Sequence, residues 1–348
     1  MLRTLQVACL VVFGIGAALY SQAPKSPFTS ADAARGLKTA ELSLEVRKQI
    51  GTFAAPAEPF KIMGNLYFVG MANGESYLLT SPQGHILFGA GFESTEKDVE
   101  KNIEKLGFKL RDVKAILLNH YHGDQSGGTA YLQSKTDGAQ VMAGFAEIPY
   151  MERPGGAPNG VTPPAPPSAP AGAQAPPQSP FAAYASPQFQ GIQDYPPFKV
   201  DRALFDGDVL KVGPLTVTAY LAPGHSPSST SWSYTVRDGG KEYRVLEFCC
   251  WEFPEDYTRS PYITEANVRH TFDTLRRLAP IDIYLETGSY GWSGILSQPS
   301  GTWAERMATL KTDTHYWVNR DIFSGLTAAR MADFEQRIRV SDRRIRAR

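Results

Sequence analysis

His120, His122 and Asp124 stand in the stretch I-L-L-N-H-Y-H-G-D-Q-S-G-G, residues 116–128, directly after the apolar residues Ala115, Ile116, Leu117 and Leu118. A short unbroken apolar run suits a strand buried on both faces of an α/β sheet. At an extended strand end, residues two apart point to the same side, so two imidazoles and a carboxylate converge there. That donor set outlines a metal site. Imidazole suits zinc, and the carboxylate either ligates a second ion or holds a zinc-bound water in line for attack. The Gly127 and Gly128 pair lets the backbone turn closely before a helix that starts at Thr129. The plain alternative is two loop histidines bonded to backbone. A carboxylate two residues further on, all after an apolar strand, argues against it.

The elements that must carry this stretch are legible on both sides of it. Short β-prone runs at residues 60–62, 66–69, 76–79 and 85–88 are separated by Gly and Asn turns, as in consecutive hairpin strands. Thr95 with Asp98 reads as a capping-box start, Val99, Ile103 and Leu106 recur at helical spacing, and Gly107 ends the helix. A helix followed by the strand at Ile116 makes a β-α-β unit, and residues 140–143 repeat it. Upstream, residues 31–50 form one loosely periodic helix expected to pack outside the domain. From Arg153 to about Gln190 the composition turns to Pro, Ala, Gly and Ser, which reads as an extended insert without a core of its own. Order resumes at Tyr195. Phe205-Asp206-Gly207-Asp208 reads as a hairpin turn, residues 215–220 alternate as a strand, and His225 follows in a tight Pro-Gly-His loop. The two halves share one grammar, so His225 is expected to face the His120 loop.

Composition sets the outer bounds. With 348 residues, 42% of them apolar, the chain can bury a large core. Lys plus Arg equals Asp plus Glu at 35 each, which favours neither nucleic acid nor a membrane surface. Residues 1–23 have the pattern of a secretory signal peptide, so an exported, periplasmic or secreted protein is expected, with no stable membrane association after cleavage. Cys9 leaves with that segment, and the adjacent Cys249 and Cys250 are not expected to form a disulfide framework. The expected organisation is a signal peptide at 1–23, an N-terminal extension at 24–57, one domain at 58–340 with the insert at 153–190, and a basic tail at 341–348. A monomer acting on a small molecule is the simplest expectation.

Several motifs together resemble the metallo-β-lactamase superfamily, and within it class B, subclass three. These are H-x-H-x-D from His120 to Asp124, P-G-H-S-P-S-S-T-S-W at 223–232, Y-P-P-F-K-V-D-R-A-L-F-D-G-D at 195–208, N-L-Y-F-V-G at 65–70 and D-V-K-A-I-L-L at 112–118. The resemblance implies an α/β fold of α+β type: a four-layer αβ/βα sandwich, two mixed sheets facing each other with helices on the outer faces. It implies a first zinc held by His120, His122 and His225, and a zinc-bound hydroxide that opens the cyclic amide of a β-lactam, with Asp124 ligating or orienting the water. Tyr121, Ser226 and Ser228 are expected around the substrate, and antibiotic resistance is the associated role.

The second zinc position departs from the family. Gln125 stands where a histidine is usual and is a weaker ligand if it binds at all, and Gly288 aligns with the other histidine. Glu286, Cys249 and Cys250 are the possible substitutes, and Gly89 replaces an aspartate that usually supports the metal loop. One zinc is therefore expected and a second is left open. The remaining His85, His270 and His315 read as structural or solvated. Two other readings stay beside the β-lactamase one: the same fold hydrolysing a lactone or thioester, and a degenerate member that binds zinc or a ligand without turnover.

Overall fold

In a computed structural model the described residues are 27–50, 55–72, 74, 76–153, 195–253 and 264–346. The expected signal peptide, and the expected insert apart from Arg153, lie outside them. The chain runs α1 (Ser30–Ile50), β1 (Phe60–Met63), β2 (Leu66–Phe68), β3 (Tyr77–Leu79), β4 (His85–Phe88), α2 (Glu96–Lys105), β5 (Val113–Leu118), α3 (Gly123–Ser126), α4 (Thr129–Ser134), β6 (Gln140–Gly144), α5 (Ile148–Met151) and β7 (Arg202–Leu204). It continues through β8 (Val209–Val212), β9 (Leu215–Leu221), β10 (Thr230–Asp238), β11 (Lys241–Phe248), α6 (Glu265–Leu278), β12 (Ile283–Glu286), α7 (Ser293–Leu296), α8 (Trp303–Leu310) and α9 (Arg320–Arg346).

The strands form two mixed sheets. Seven lie in the order β1-β2-β3-β4-β5-β6-β7, antiparallel through β4 and parallel from there on. Five lie in the order β12-β11-β10-β9-β8, with only the β11–β12 pair parallel. Period-two alternation along β5 explains its unbroken apolar run. Ala115 and Leu117 join the core between the sheets with Phe88, Trp232 and Phe248, whereas Ile116 and Leu118 face Val99 and Ile103 of α2 and Leu132 of α4. A strand buried on both faces has no polar positions to spare. On the far side α1 lies along α9, with Phe28 edge-on to Phe323 at 6.1 Å, so the four layers are helix, sheet, sheet, helix. Helix α1 is no loose cover, because Ala40, Val46 and Ile50 belong to the core.

Three local expectations are corrected. Thr95 does not cap α2 with its side chain; its hydroxyl accepts from the Phe92 N–H at 3.1 Å and donates back to the Phe92 carbonyl at 3.2 Å. The Phe205–Asp208 turn is not a hairpin, since β7 before it belongs to the first sheet and β8 after it to the second. An Asp-Gly turn looks the same locally in both cases; only the partner strands differ. The stretch expected as a tail is mostly the last turns of α9, which continues to Arg346.

Candidate metal centre

Strand β5 delivers the first histidines to the edge of the sandwich. Directly after it, Asn119 locks to the start of β10: its side-chain amide donates to the Thr230 carbonyl at 3.1 Å and its own carbonyl accepts from the Thr230 N–H at 2.7 Å. The chain then turns through His120 and His122 into the single helical turn α3, where the His122 carbonyl accepts from Ser126 N–H at 2.9 Å and Ser126 Oγ donates to the His120 carbonyl at 2.7 Å. The glycine pair has the close approach read from the sequence. A Cβ on Gly128 would meet the Ala90 carbonyl oxygen at 2.4 Å, and one on Gly127 would meet the Glu93 nitrogen at 2.6 Å. Gly89, where the family usually carries aspartate, has φ of +66°, a backbone that suits glycine.

His225 comes from the other sheet, in the loop between β9 and β10. Helix α6 holds that loop: Thr271 Oγ1 donates to the Pro223 carbonyl at 2.6 Å. Gly224, at φ +152°, leaves room for the Phe253 ring, which a Cβ would strike at 2.8 Å. The result is that His225 Nε2 lies 2.9 Å from His122 Nδ1 and 3.3 Å from His120 Nε2. His225 Nδ1 is 3.3 Å from the Glu252 carbonyl oxygen, which can only accept, so Nδ1 carries a proton and, in the neutral ring, Nε2 presents its lone pair. Burial, then the neighbouring imidazoles, hold His120 and His122 well below the usual histidine range and so neutral. Lone pairs that close repel unless a cation lies between them. Three tetrahedral ligand nitrogens on zinc lie about 3.3 Å apart when each bond is about 2.0–2.1 Å, so the three residues fit a metal ion.

Asp124 places Oδ1 3.7 Å from His120 Nε2, and burial raises its carboxyl to about 6. Gln125 is buried beside that carboxylate, with its main-chain carbonyl held by the Ala90 N–H at 2.8 Å. At Gly288, which the resemblance aligns with the other second-zinc histidine, another side chain takes the space. A Cβ on Gly288 would lie 2.1 Å from the Tyr290 ring, so the tyrosine occupies the space a ligand side chain there would need. Glu286 does not substitute for it: its Oε2 accepts from Tyr284 OH at 3.3 Å and packs against Gly291. The two cysteines are buried free thiols with Sγ atoms 3.0 Å apart. Cys249 Sγ is 3.5 Å and Cys250 Sγ 3.9 Å from His120 Nδ1, the nitrogen that faces away from the other two histidines. Burial pushes both thiols up. Cys250 also groups with His225 and Glu252, a carboxylate that the sequence did not single out.

Tyr121 is half-buried, edge-on to His122 at 4.5 Å and stacked on Tyr150 at 4.5 Å, so these two rings form a wall beside the histidines. Ser226 and Ser228 are corrected: each is only 1% exposed, and both hydroxyls turn inward to Glu147 rather than lining an open pocket. Glu147, like Glu252, is a residue that sequence reasoning missed. The one signal for Glu147 was its place just beyond the carboxyl end of a parallel strand, next to the strand that ends at the histidines.

A family profile described as the metallo-beta-lactamase superfamily matches residues 69–239. Among solved structures, the Rm3 metallo-beta-lactamase is 27% identical, with TM-score 0.65 over 84% of this chain and 98% of that one. A subclass B3 metallo-beta-lactamase of Bradyrhizobium japonicum is 27% identical, with TM-score 0.64 over 85% of this chain and 98% of its own. A metallo-beta-lactamase of Cronobacter sakazakii described by a HARLDQ motif is 26% identical, with TM-score 0.65 over 85% of this chain and 94% of that chain. Residues 120–125 here read H-Y-H-G-D-Q, which has the same first residue and the same closing Asp-Gln.

Proposed function

We propose that this chain, a member of the metallo-beta-lactamase superfamily, is a zinc hydrolase that opens a cyclic amide of the β-lactam kind with a single metal ion. The observation that carries the reading is the convergence of His120 Nε2, His122 Nδ1 and His225 Nε2 from two sheets, with the Asp124 carboxyl beside them. The reading of one ion rests on Tyr290 over Gly288 and on the neutral amide at Gln125. Zinc held by three neutral imidazoles supplies Lewis acidity, which acidifies water and polarises a carbonyl oxygen.

The chain's own residues do the rest. Hydrolysis adds water across the C–N bond: the oxygen goes to the carbonyl carbon, and the proton that leaves the water is the one the departing nitrogen must receive. Asp124 Oδ1 is placed to hold that proton between the water and the nitrogen, and the Glu252 carbonyl fixes the His225 ring by accepting from Nδ1–H. The stacked Tyr121 and Tyr150 give a flat apolar wall on which a substrate ring can rest. Among the described residues no helix is long and apolar enough to cross a membrane. Export, a monomeric state and a part in antibiotic resistance accompany this reading as proposals.

The test is hydrolysis of a chromogenic cephalosporin and a carbapenem by the purified protein in added zinc, with a chelator control and His122→Ala alongside. Turnover that disappears in both controls is the expected outcome. Zinc binding without β-lactam turnover would sink the substrate assignment and direct the assay to lactones and thioesters; no zinc binding would sink the reading itself.

A further inference from the structure

Glu147 is 0% exposed and lies just past β6, at the threshold of α5. Its Oε2 accepts at 3.1 Å from the N–H of Tyr121, the residue between His120 and His122. Its Oε1 accepts from Ser226 Oγ at 2.8 Å and the Ser228 N–H at 2.7 Å, on the loop that carries His225. One carboxylate thus gives one oxygen to each histidine loop, and the loops belong to different sheets. The approach is built into the backbone. A Cβ on Gly144 would meet the Ser228 carbonyl oxygen at 2.3 Å, so only glycine lets the end of β6 come this close, and the Ala146 N–H donates to Ser228 Oγ at 3.0 Å from the same side.

A buried carboxylate is costly unless its lone pairs are satisfied. Here the donors come from the two loops: the Tyr121 N–H from one, the Ser226 hydroxyl and the Ser228 N–H from the other. The arrangement is more than a core hydrogen bond, because its two ends sit on the segments whose spacing decides whether three ring nitrogens share one ion. We infer that Glu147 is a positioning residue for the metal: it clasps the His120–His122 loop to the His225 loop and so sets metal affinity. This rests on the zinc-hydrolase reading above. A neutral amide in its place fails at one loop, since its NH2 must face either the Tyr121 N–H or the Ser228 N–H, donor against donor.

The experiment is zinc competition against a chromogenic chelator for the wild type, Glu147→Gln, Ser226→Ala and the double variant, with thermal unfolding of each protein in its metal-free form. Glu147→Gln is expected to weaken zinc binding by about 10 to 100-fold. Ser226→Ala is expected to weaken it by a smaller factor, and to add little once Glu147 is already Gln. Wild-type zinc affinity in a folded Glu147→Gln, or a lowered metal-free midpoint with affinity unchanged, overturns the clasp. If Glu147→Gln does not fold, Ser226→Ala alone decides: weaker binding supports the clasp and unchanged binding overturns it. A wild type that binds no zinc overturns the hydrolase reading and the clasp together, whereas wild-type binding matched by every variant overturns the clasp alone.

Discussion

Glu286 ends β12 with its carboxyl buried between Tyr284 and Gly291, and burial, then the Glu252 charge, raise it from 4.5 to about 8. A carboxyl raised in the folded state gives stability that is complete below the unfolded value and is lost as pH climbs through the folded one. The window for this group therefore runs from about pH 4.5 to about pH 8. Denaturant midpoints of the wild type should fall across that window more steeply than those of Glu286→Gln, which keeps an oxygen for Tyr284 OH and has no proton to lose. Parallel curves for the two proteins would show that Glu286 ionises as an ordinary surface acid. The same loop decides the metal count. With Tyr290 across Gly288, elemental analysis of the dialysed protein should find one zinc per chain. Two would mean that Cys250 and Glu252, which group with His225, complete a second site.

Helices α1 and α9 meet through two glycines. A Cβ on Gly36 would fall 1.8 Å from the Gly325 carbonyl oxygen, inside any allowed contact. Alanine at a helix interior normally gains about 1 kcal/mol over glycine, so propensity and packing point in opposite directions here. Packing wins, because the obstacle is backbone that no rotamer change can move. Gly36→Ala should lose about 1–3 kcal/mol, read as a lower urea midpoint; a gain would mean that α1 is not docked on α9. The docking also explains what the sequence showed of α1 and what it hid. Its buried face includes Gly36, Ala40 and Ser43, residues too small or polar to mark an apolar stripe, so the helix was legible and its partner was not. Strand β5 was legible because burial on both faces leaves an unbroken apolar run, and the histidines stood out because they follow it at a spacing of two. The turn between β7 and β8 misled because Asp-Gly chemistry is local while sheet membership is not. Glu147 was hidden for the same reason: its partners lie 26, 79 and 81 residues away in the chain, and nothing in its neighbours announces them.

Across the molecule, the two sheets are joined in two ways at the edge that carries the site. One is metal-free: the core between the sheets, the paired hydrogen bonds of Asn119 with Thr230, and the Glu147 contacts to both loops. The other would be the proposed ion, two of whose proposed ligands, His120 and His122, follow β5 of the first sheet while the third, His225, follows β9 of the second. Because the first is extensive, the protein should remain folded without metal. Because the second spans both sheets and its three-nitrogen geometry is lost when the chain unfolds, an ion should stabilise the folded state by mass action, about 2.7 kcal/mol when free zinc is a hundredfold above its dissociation constant. Thermal unfolding should therefore show one cooperative transition with and without chelator, moved downward by several degrees when zinc is stripped and restored when it is returned. His225→Ala leaves both remaining ligands on one sheet, so its midpoint should hardly respond to zinc. A wild-type midpoint indifferent to chelation, or a His225→Ala variant as responsive as the wild type, would mean that the three histidines do not share an ion across the sandwich.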